Sequence, residues 1–226
     1  MLGNHDEPRI ATRIGPDMAR LAMLLLLTLR GTPTMYYGDE LGMQDVQIGP
    51  DKVQDPWEKL TPGLGLGRDP ERTPMQWDAT PNAGFTGPGV MPWLPVSETF
   101  QRENVAAQLA EPGSMLNFTR RLIELRQGHP ALHSGSYRAV NGVPVGCFVY
   151  LREDGDERFL ALLNFSDEAV TVELPGWGEG LVVLSTGPDD LQEKITRLEK
   201  VKLSPAEGLL VKLAAAPIGN TIPSHR

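Results

Sequence analysis

The chain has 226 residues, 40% hydrophobic and 22% charged, with 21 basic against 29 acidic side chains and a formal charge of −8. That length allows one large domain or two small ones, and the acidic balance argues against a nucleic-acid or anionic-membrane surface, which needs clustered cations. The single cysteine, Cys147, excludes an intrachain disulfide, and no Cys/His spacing marks a zinc site.

The N-terminus lacks the basic, apolar and small-residue order of a secretory signal. The most apolar stretch, Leu21 to Leu29, is far short of the roughly 20 residues that cross a bilayer. A cytoplasmic protein is expected, with no metal or other cofactor. Cys147 lies in an apolar run and reads as a small buried hydrophobe.

Residues 1–15 read as a polar loop containing Asn4-His5-Asp6. Pro16-Asp17 suits a helix start, because proline pre-sets the first turn and an acid favours the positive end. Met18 to Arg30 is apolar on nearly all sides, so the helix should pack between layers. Arg30-Gly31 closes it. Thr32 to Gly38 is β-branched, aromatic and bounded by turn residues, which predicts a buried strand. From Asp39 to Pro112 the chain is rich in Pro, Gly, Asp and Trp without periodicity, and a loop of that length is normally functional. Ser114 to Gln127 then predicts a helix, with Ser114 as cap and Leu116, Leu122, Ile123 and Leu125 as its apolar stripe.

After Ala131 the pattern changes. Short runs at Tyr137–Val140, Val145–Arg152, Phe159–Asn164, Ala169–Leu174, Leu181–Ser185, Val201–Leu203 and Gly208–Leu213 predict strands. They are separated by turn residues such as Asn141-Gly142, Asp154-Gly155-Asp156 and Gly187-Pro188, the pattern of an antiparallel sandwich. Residues 214–226 read as a frayed tail.

Asn4-His5-Asp6 alone could be a surface turn with an Asp cap. It is followed by Gly31-Thr32-Pro33-Thr34-Met35-Tyr36-Tyr37-Gly38-Asp39-Glu40-Leu41-Gly42-Met43, and then by Gly67-Arg68-Asp69-Pro70-Glu71-Arg72-Thr73-Pro74-Met75-Gln76-Trp77-Asp78. In this order the three segments closely resemble the α-glucosidases and oligo-1,6-glucosidases of the α-amylase family, glycoside hydrolase family 13. The helix carrying Phe118-Thr119-Arg120-Arg121-Leu122-Ile123-Glu124-Leu125-Arg126 also resembles the last barrel helix of that family.

The resemblance implies an α/β chain: the C-terminal fragment of a (β/α)₈ barrel over residues 1–130, then an antiparallel β-sandwich over 131–226. Asn-His-Asp would follow strand seven, Thr32–Tyr37 would be strand eight, and residues 39–112 the final excursion over the active-site mouth. By resemblance Asp6 is the carboxylate that stabilises an oxocarbenium-like transition state, while His5, Asn4 and Arg68 hold the same glucose. Arg68 could instead pair structurally with Asp69 or Glu71. Asp6 as a cap and His5 as a packing residue are the plainer alternatives. Arg72 and the Asp39-Glu40 pair read as structural, and Arg9 and Arg13 as rim residues. Trp57, Trp77 and Trp93 could form a sugar platform, but packing beneath the long loop is the preferred reading.

The family's nucleophile and general acid have no match here, so the implied partner is the missing N-terminal barrel half and the implied substrate a small α-glucoside. The chain alone is expected to be inactive, and helix 17–30 to expose apolar surface without a partner. A glucosyl-transferring relative, such as a trehalose synthase or sucrose-acting enzyme, and a non-catalytic relative like a transporter heavy chain remain open.

Overall fold

A computed structural model describes residues 2–187 and 194–214. The expected tail and the turn at Gly187-Pro188 lie, apart from Gly187 and Ala214, outside the described residues. The chain forms two compact units, Met1–Ala19 with Thr34–Thr119 and Arg20–Pro33 with Arg120–Arg226. The division falls inside two helices, α2 (Pro16–Thr28) and α5 (Met115–Gly128).

The second unit is built on an antiparallel sheet of six strands: β1 (Ser136–Ala139), β2 (Cys147–Asp154), β3 (Glu157–Asn164), β5 (Glu179–Ser185), β6 (Lys194–Arg197) and β8 (Gly208–Leu213). Their order is β1-β2-β3-β8-β5-β6, and β4 (Val170–Val172) pairs with β7 (Val201–Leu203) in a separate ladder. Strands β2 and β3 turn through Gly155-Asp156, with Gly155 at φ 56°, a conformation that glycine adopts without penalty. Alternation sorts the side chains by face. Val149, Leu151, Leu160, Leu162, Leu209 and Val211 share one buried cluster with Val172, Leu174, Val201 and Leu203 of the two-stranded ladder and its flank. Cys147 packs half-buried against it, and burial pushes its thiol up.

The opposite sheet face is covered as well. A Cβ added at Gly208 would lie 2.5 Å from Leu21 Cδ1 and 2.8 Å from Leu24 Cδ2, so helix α2 rests directly on β8. Leu21, Met23 and Leu24 are completely buried. The expectation that this helix would expose apolar surface is therefore corrected: the chain's own sheet covers it, with about 1.5–3 kcal/mol gained per large aliphatic side chain removed from water. The helix end is capped by side chains from elsewhere in the same unit. Arg126 on α5 donates through Nη1 to Leu27 O (2.7 Å) and Leu29 O (3.0 Å), and through Nη2 to Gly31 O (2.5 Å). Those carbonyls would otherwise end the helix without partners.

Two expectations about strands change. Thr32–Tyr37 joins no ladder. Its apolar, β-branched composition is that of a strand, but a strand exists only by pairing, and no described segment runs alongside it. Conversely β6, which no apolar run announced, is an edge strand in which Lys194, Ile195 and Arg197 are exposed; a charged edge of this kind resists further pairing.

In the first unit, Leu41, Met43, Met75 and Leu116 form a small core with Val105 beside it. The long loop is not structureless. It contains α3 (Pro56–Leu60), α4 (Val105–Ala110) and 3₁₀ turns at Pro50–Lys52, Pro70–Arg72 and Pro81–Gly84. Several begin with proline, whose fixed φ and missing N–H suit a first turn. Short α1 (Ile10–Ile14) follows the Asn-His-Asp loop. Gln108 ties the unit together: its Nε2 donates to Leu41 O (2.8 Å), and its Oε1 accepts from Leu116 N (2.9 Å).

Candidate functional site

The loop carrying Asn4, His5 and Asp6 is shaped by its own side chains. Asn4 Oδ1 accepts from the Asp6 amide at 2.7 Å, a local turn that fixes the Asp6 backbone. Three residues on, Arg9 anchors the segment. Its amide donates to Asp45 Oδ1 (2.9 Å), and its Nη1 to Tyr37 O (2.6 Å). Its guanidinium also lies 5.2 and 4.9 Å from the centroids of the Tyr36 and Tyr37 rings. Arg9 is fully buried, so it is not the rim residue expected from the sequence. Arg13 donates to the Leu2 carbonyl.

Asp6 meets the Gly-Arg-Asp segment directly. Its Oδ1 accepts from Arg68 Nη1 at 2.9 Å and from Arg72 Nη2 at 3.0 Å, and its Oδ2 lies 3.2 Å from His5 Nε2. Arg72 Nε also donates to the His5 carbonyl at 2.7 Å. Asp6, His5, Arg68 and Asn4 are thus brought together from positions more than 60 residues apart. Arg72, read from sequence as structural, shares the carboxylate.

Arg68 is oriented from behind by a residue that sequence reasoning missed. Asp55 Oδ2 accepts from Arg68 Nε (2.7 Å) and from the Arg68 amide (3.0 Å), while Asp55 Oδ1 accepts from the Trp57 amide (2.9 Å) at the start of α3. Asp55 is buried. The available signal was Asp55-Pro56, an acid before a proline-started turn, which marks a cap but names no distant partner. Asp69 does not pair with Arg68; its Oδ2 accepts the amides of Gln54 (2.6 Å) and Asp55 (2.9 Å). This chain of contacts gives the guanidinium one direction, with one edge on Asp55 and the other on Asp6.

The electrostatics follow. The Arg68 hydrogen bond, opposed by partial desolvation and aided by the charges of His5, Arg68 and Arg72, holds the Asp6 carboxyl below its ordinary value. The same arginine brings Asp55 to about 2, and the two carboxylates, Asp55 foremost, push the guanidinium's own value up. Asp6 is therefore an anion throughout the neutral range. It can oppose a developing positive charge or accept from a hydroxyl, but it cannot serve as a proton donor.

Two other acids have the opposite character. Burial lifts Glu71 to about 7 and Asp39 to about 6. Such values suit proton transfer, but both residues are at most 3% exposed, so a substrate cannot reach them. Asp39 starts the 3₁₀ turn at Asp39–Leu41, with Oδ2 accepting from the Tyr36 amide at 3.3 Å. Among the described residues no three His, Cys, Asp or Glu side chains gather as a metal site requires, and no helix is long and apolar enough to cross a membrane.

Beyond Arg72 the surface becomes aromatic. Trp77, Phe85 and Trp93 are 50%, 46% and 60% exposed, and Trp57 is 59% exposed. This corrects the expectation that the tryptophans pack beneath the loop.

Residues 1–135, well over half the chain, match the family of the α-amylase catalytic domain. The chain belongs to the α-amylase family. It is 30% identical to an oligo-1,6-glucosidase of Parageobacillus thermoglucosidasius over 94% of its own length and 42% of the relative's. It is 32% identical to a glucan 1,6-alpha-glucosidase of Streptococcus pneumoniae, again covering 93% of this chain and 42% of the relative. Among solved structures it is similar to the isomaltulose synthase SmuA from Protaminobacter rubrum, with a TM-score of 0.78 at 28% identity over 94% of this chain and 42% of that one. This α-amylase-family chain thus spans about two fifths of the length of these relatives.

Proposed function

We propose that this chain supplies the charge-stabilising corner of a retaining α-glucosidase, acting on terminal α-glucosidic bonds of short oligosaccharides. The observation that carries this reading is the Asp6 carboxylate clamped by Arg68 and Arg72 beside His5, in a chain whose relatives include oligo-1,6-glucosidases. In this reading residues 1–130 complete a (β/α)₈ barrel whose remaining strands come from another stretch of polypeptide, and residues 131–226 form a β-sandwich. The nucleophile and general acid come with those strands.

A retaining glycosidase needs those two carboxyls about 5–5.5 Å apart and passes through an oxocarbenium-like state. Asp6 then acts without bonding covalently. Its negative charge is fixed before the reaction and is worth most when the sugar ring becomes positive, so it raises the rate rather than merely tightening binding. His5 and the Arg68 guanidinium border the same ring and can donate to its hydroxyls. Because solved relatives include an isomaltulose synthase, transfer of glucose to a second sugar is the second reading.

The test is hydrolysis of a nitrophenyl α-glucoside by the 226-residue chain and by the same chain extended with its in-frame upstream coding sequence. The chain alone should release no nitrophenol, and the extended protein should. In the extended protein Asp6→Asn should cost about 10²–10³ in kcat, the usual loss of one preorganised electrostatic partner. Release by the chain alone above an Asp6→Ala control, or full activity of Asp6→Asn in the extended protein, would sink the proposal. Products from maltose, isomaltose and sucrose separate hydrolysis from transfer.

A further inference from the structure

A cavity of about 340 Å³ lies within the second unit, where the residues that follow α2 meet α5 and the short helix α6 (Pro130–His133). Its walls carry Arg30, Thr32, Arg126, His133 and Ser134. The volume is that of a small-ligand site. We propose that this cavity binds a small phosphate-bearing anion. It shares no residue with the Asp6 cluster, and its role does not depend on the glucosidase reading.

Charge is the first ground. The chain as a whole carries a formal −8, yet no acidic side chain lines this cavity. Arg126 is only 7% exposed, and its hydrogen-bond partners are the Leu27, Leu29 and Gly31 carbonyls. Arg152, completely buried, is likewise held by carbonyls, those of Thr28, Gly135 and Ser136. Carbonyls satisfy the N–H groups but bring no neutralising charge. Burial first, and then the charges of Arg126 and Arg30, lower the Arg152 guanidinium, so the three cations act on one another. Burial lowers Arg126 as well. Like charges gathered in a partly dry site are unfavourable until an anion joins them.

Chemistry selects the ligand. A phosphate brings nearly two negative charges and three acceptor oxygens at neutral pH, and a guanidinium fork matches its edge. The hydroxyls of Thr32 and Ser134 add neutral donors at the same wall. A neutral sugar would leave the positive charge unmet, and an apolar occupant would strip water from it without compensation.

Construction is the second, independent ground. The acid nearest in sequence to the β3 end of this region, Glu157, is committed elsewhere. Its Oε1 lies 2.6 Å from His129 Nδ1 and its Oε2 accepts from the Ala131 amide at 3.1 Å, which pins the start of α6 to the sheet. Ala131 and Leu132 are completely buried, while His133 and Ser134, at the helix end, stay exposed. On the opposite wall Gly31 turns the chain with φ 117°, and an added Cβ there would meet nothing within 4 Å. The backbone thus keeps the space beside the arginines open.

The experiment titrates the 226-residue chain with inorganic phosphate, and separately with glycerol 2-phosphate, while NMR follows the ring C–H signals of its four histidines. Sodium chloride at equal ionic strength is the control. Both phosphates should move His133 saturably, with a Kd below about 1 mM, and leave His5 in place. Arg30→Gln and His133→Gln should each weaken binding about tenfold, the order of one lost charge-assisted contact; for His133→Gln the heat of phosphate binding replaces the ring signal. Both side chains are exposed, and two variants are used so that one misfolded protein leaves the other to decide. Shifts that do not saturate, that chloride reproduces, or that fall on His5 instead overturn the proposal. So does binding to the 226-residue chain that disappears when its upstream coding sequence is added, because a side chain from that stretch would then fill the cavity.

Discussion

Glu71 offers a test of how the Gly-Arg-Asp segment is held. It sits in the 3₁₀ turn Pro70–Arg72, between the two arginines that clamp Asp6, and is only 3% exposed. Burial is the chief cause that raises its carboxyl from an ordinary 4.5 to about 7, with the Asp45 carboxylate adding to it and Arg72 and Arg9 opposing. The folded protein therefore disfavours the charged form. Below about pH 4.5 the residue is neutral folded and unfolded, and costs nothing. As pH rises towards about 7 the unfolded chain releases the proton and the folded chain resists, so stability falls. Above about 7 the penalty is complete, at about 3 kcal/mol from 1.36 kcal/mol per tenfold in acidity. That is a sizeable part of the total stability of a typical domain, about 5–15 kcal/mol. Glu71→Gln removes the titration and keeps the shape. Urea melts of wild type and variant at pH 5 and pH 8.5 should show the variant gaining about 2.5 kcal/mol on the wild type between the two. Parallel pH dependence of the two proteins would refute the reasoning.

Two further outcomes follow from named contacts. Arg126→Met leaves the Leu27, Leu29 and Gly31 carbonyls without their guanidinium donors and should cost about 3 kcal/mol, seen as a drop in melting temperature of about 10 °C; a change under about 1 °C would mean that water replaces the arginine freely. Asp55, held at about 2 by Arg68, contributes stability that is present above its ordinary 3.8 and lost as pH falls through about 2. Acid unfolding of Asp55→Asn should therefore show a shallower decline than wild type between pH 4 and 2, measured by circular dichroism, and an identical slope would count against the pairing.

The parts of the fold that could be read from sequence are those where local pattern and final environment agree. Helix α2 announced itself by Pro16-Asp17 and a continuous apolar run, and most of the second unit's strands by β-branched runs between turn residues. The failures share a cause, since each depended on a distant partner. Thr32–Tyr37 has strand composition and no paired strand among the described residues. The polar β6 becomes a strand only because Leu181 and Val182 lie alongside Ile195 and Lys194. What covers α2 was not legible, because Gly208 lies nearly 200 residues downstream and gives no hint that a helix presses on it. At the candidate site, Asn4, His5, Asp6 and Arg68 were found through resemblance to known motifs, and the geometry unites them. Asp55 and Arg72 escaped because the loop has no period from which a partner could be inferred. The tryptophans misled for a related reason: their size favours burial, yet Trp57, Trp77 and Trp93 are all at least half exposed.

The strand order β1-β2-β3-β8-β5-β6 has a consequence for biosynthesis. Gly208–Leu213 is the last strand among the described residues and lies in the middle of the sheet, paired with β3 on one side and β5 on the other. A ribosome delivers it after both of its partners. Until it emerges, the earlier strands can form only two separate hairpin stacks, each with an open edge where β8 belongs. Completion of this sheet therefore waits for the strand that follows all of its partners in sequence, and a stop codon only a few residues before Gly208 would remove the strand that joins the two halves.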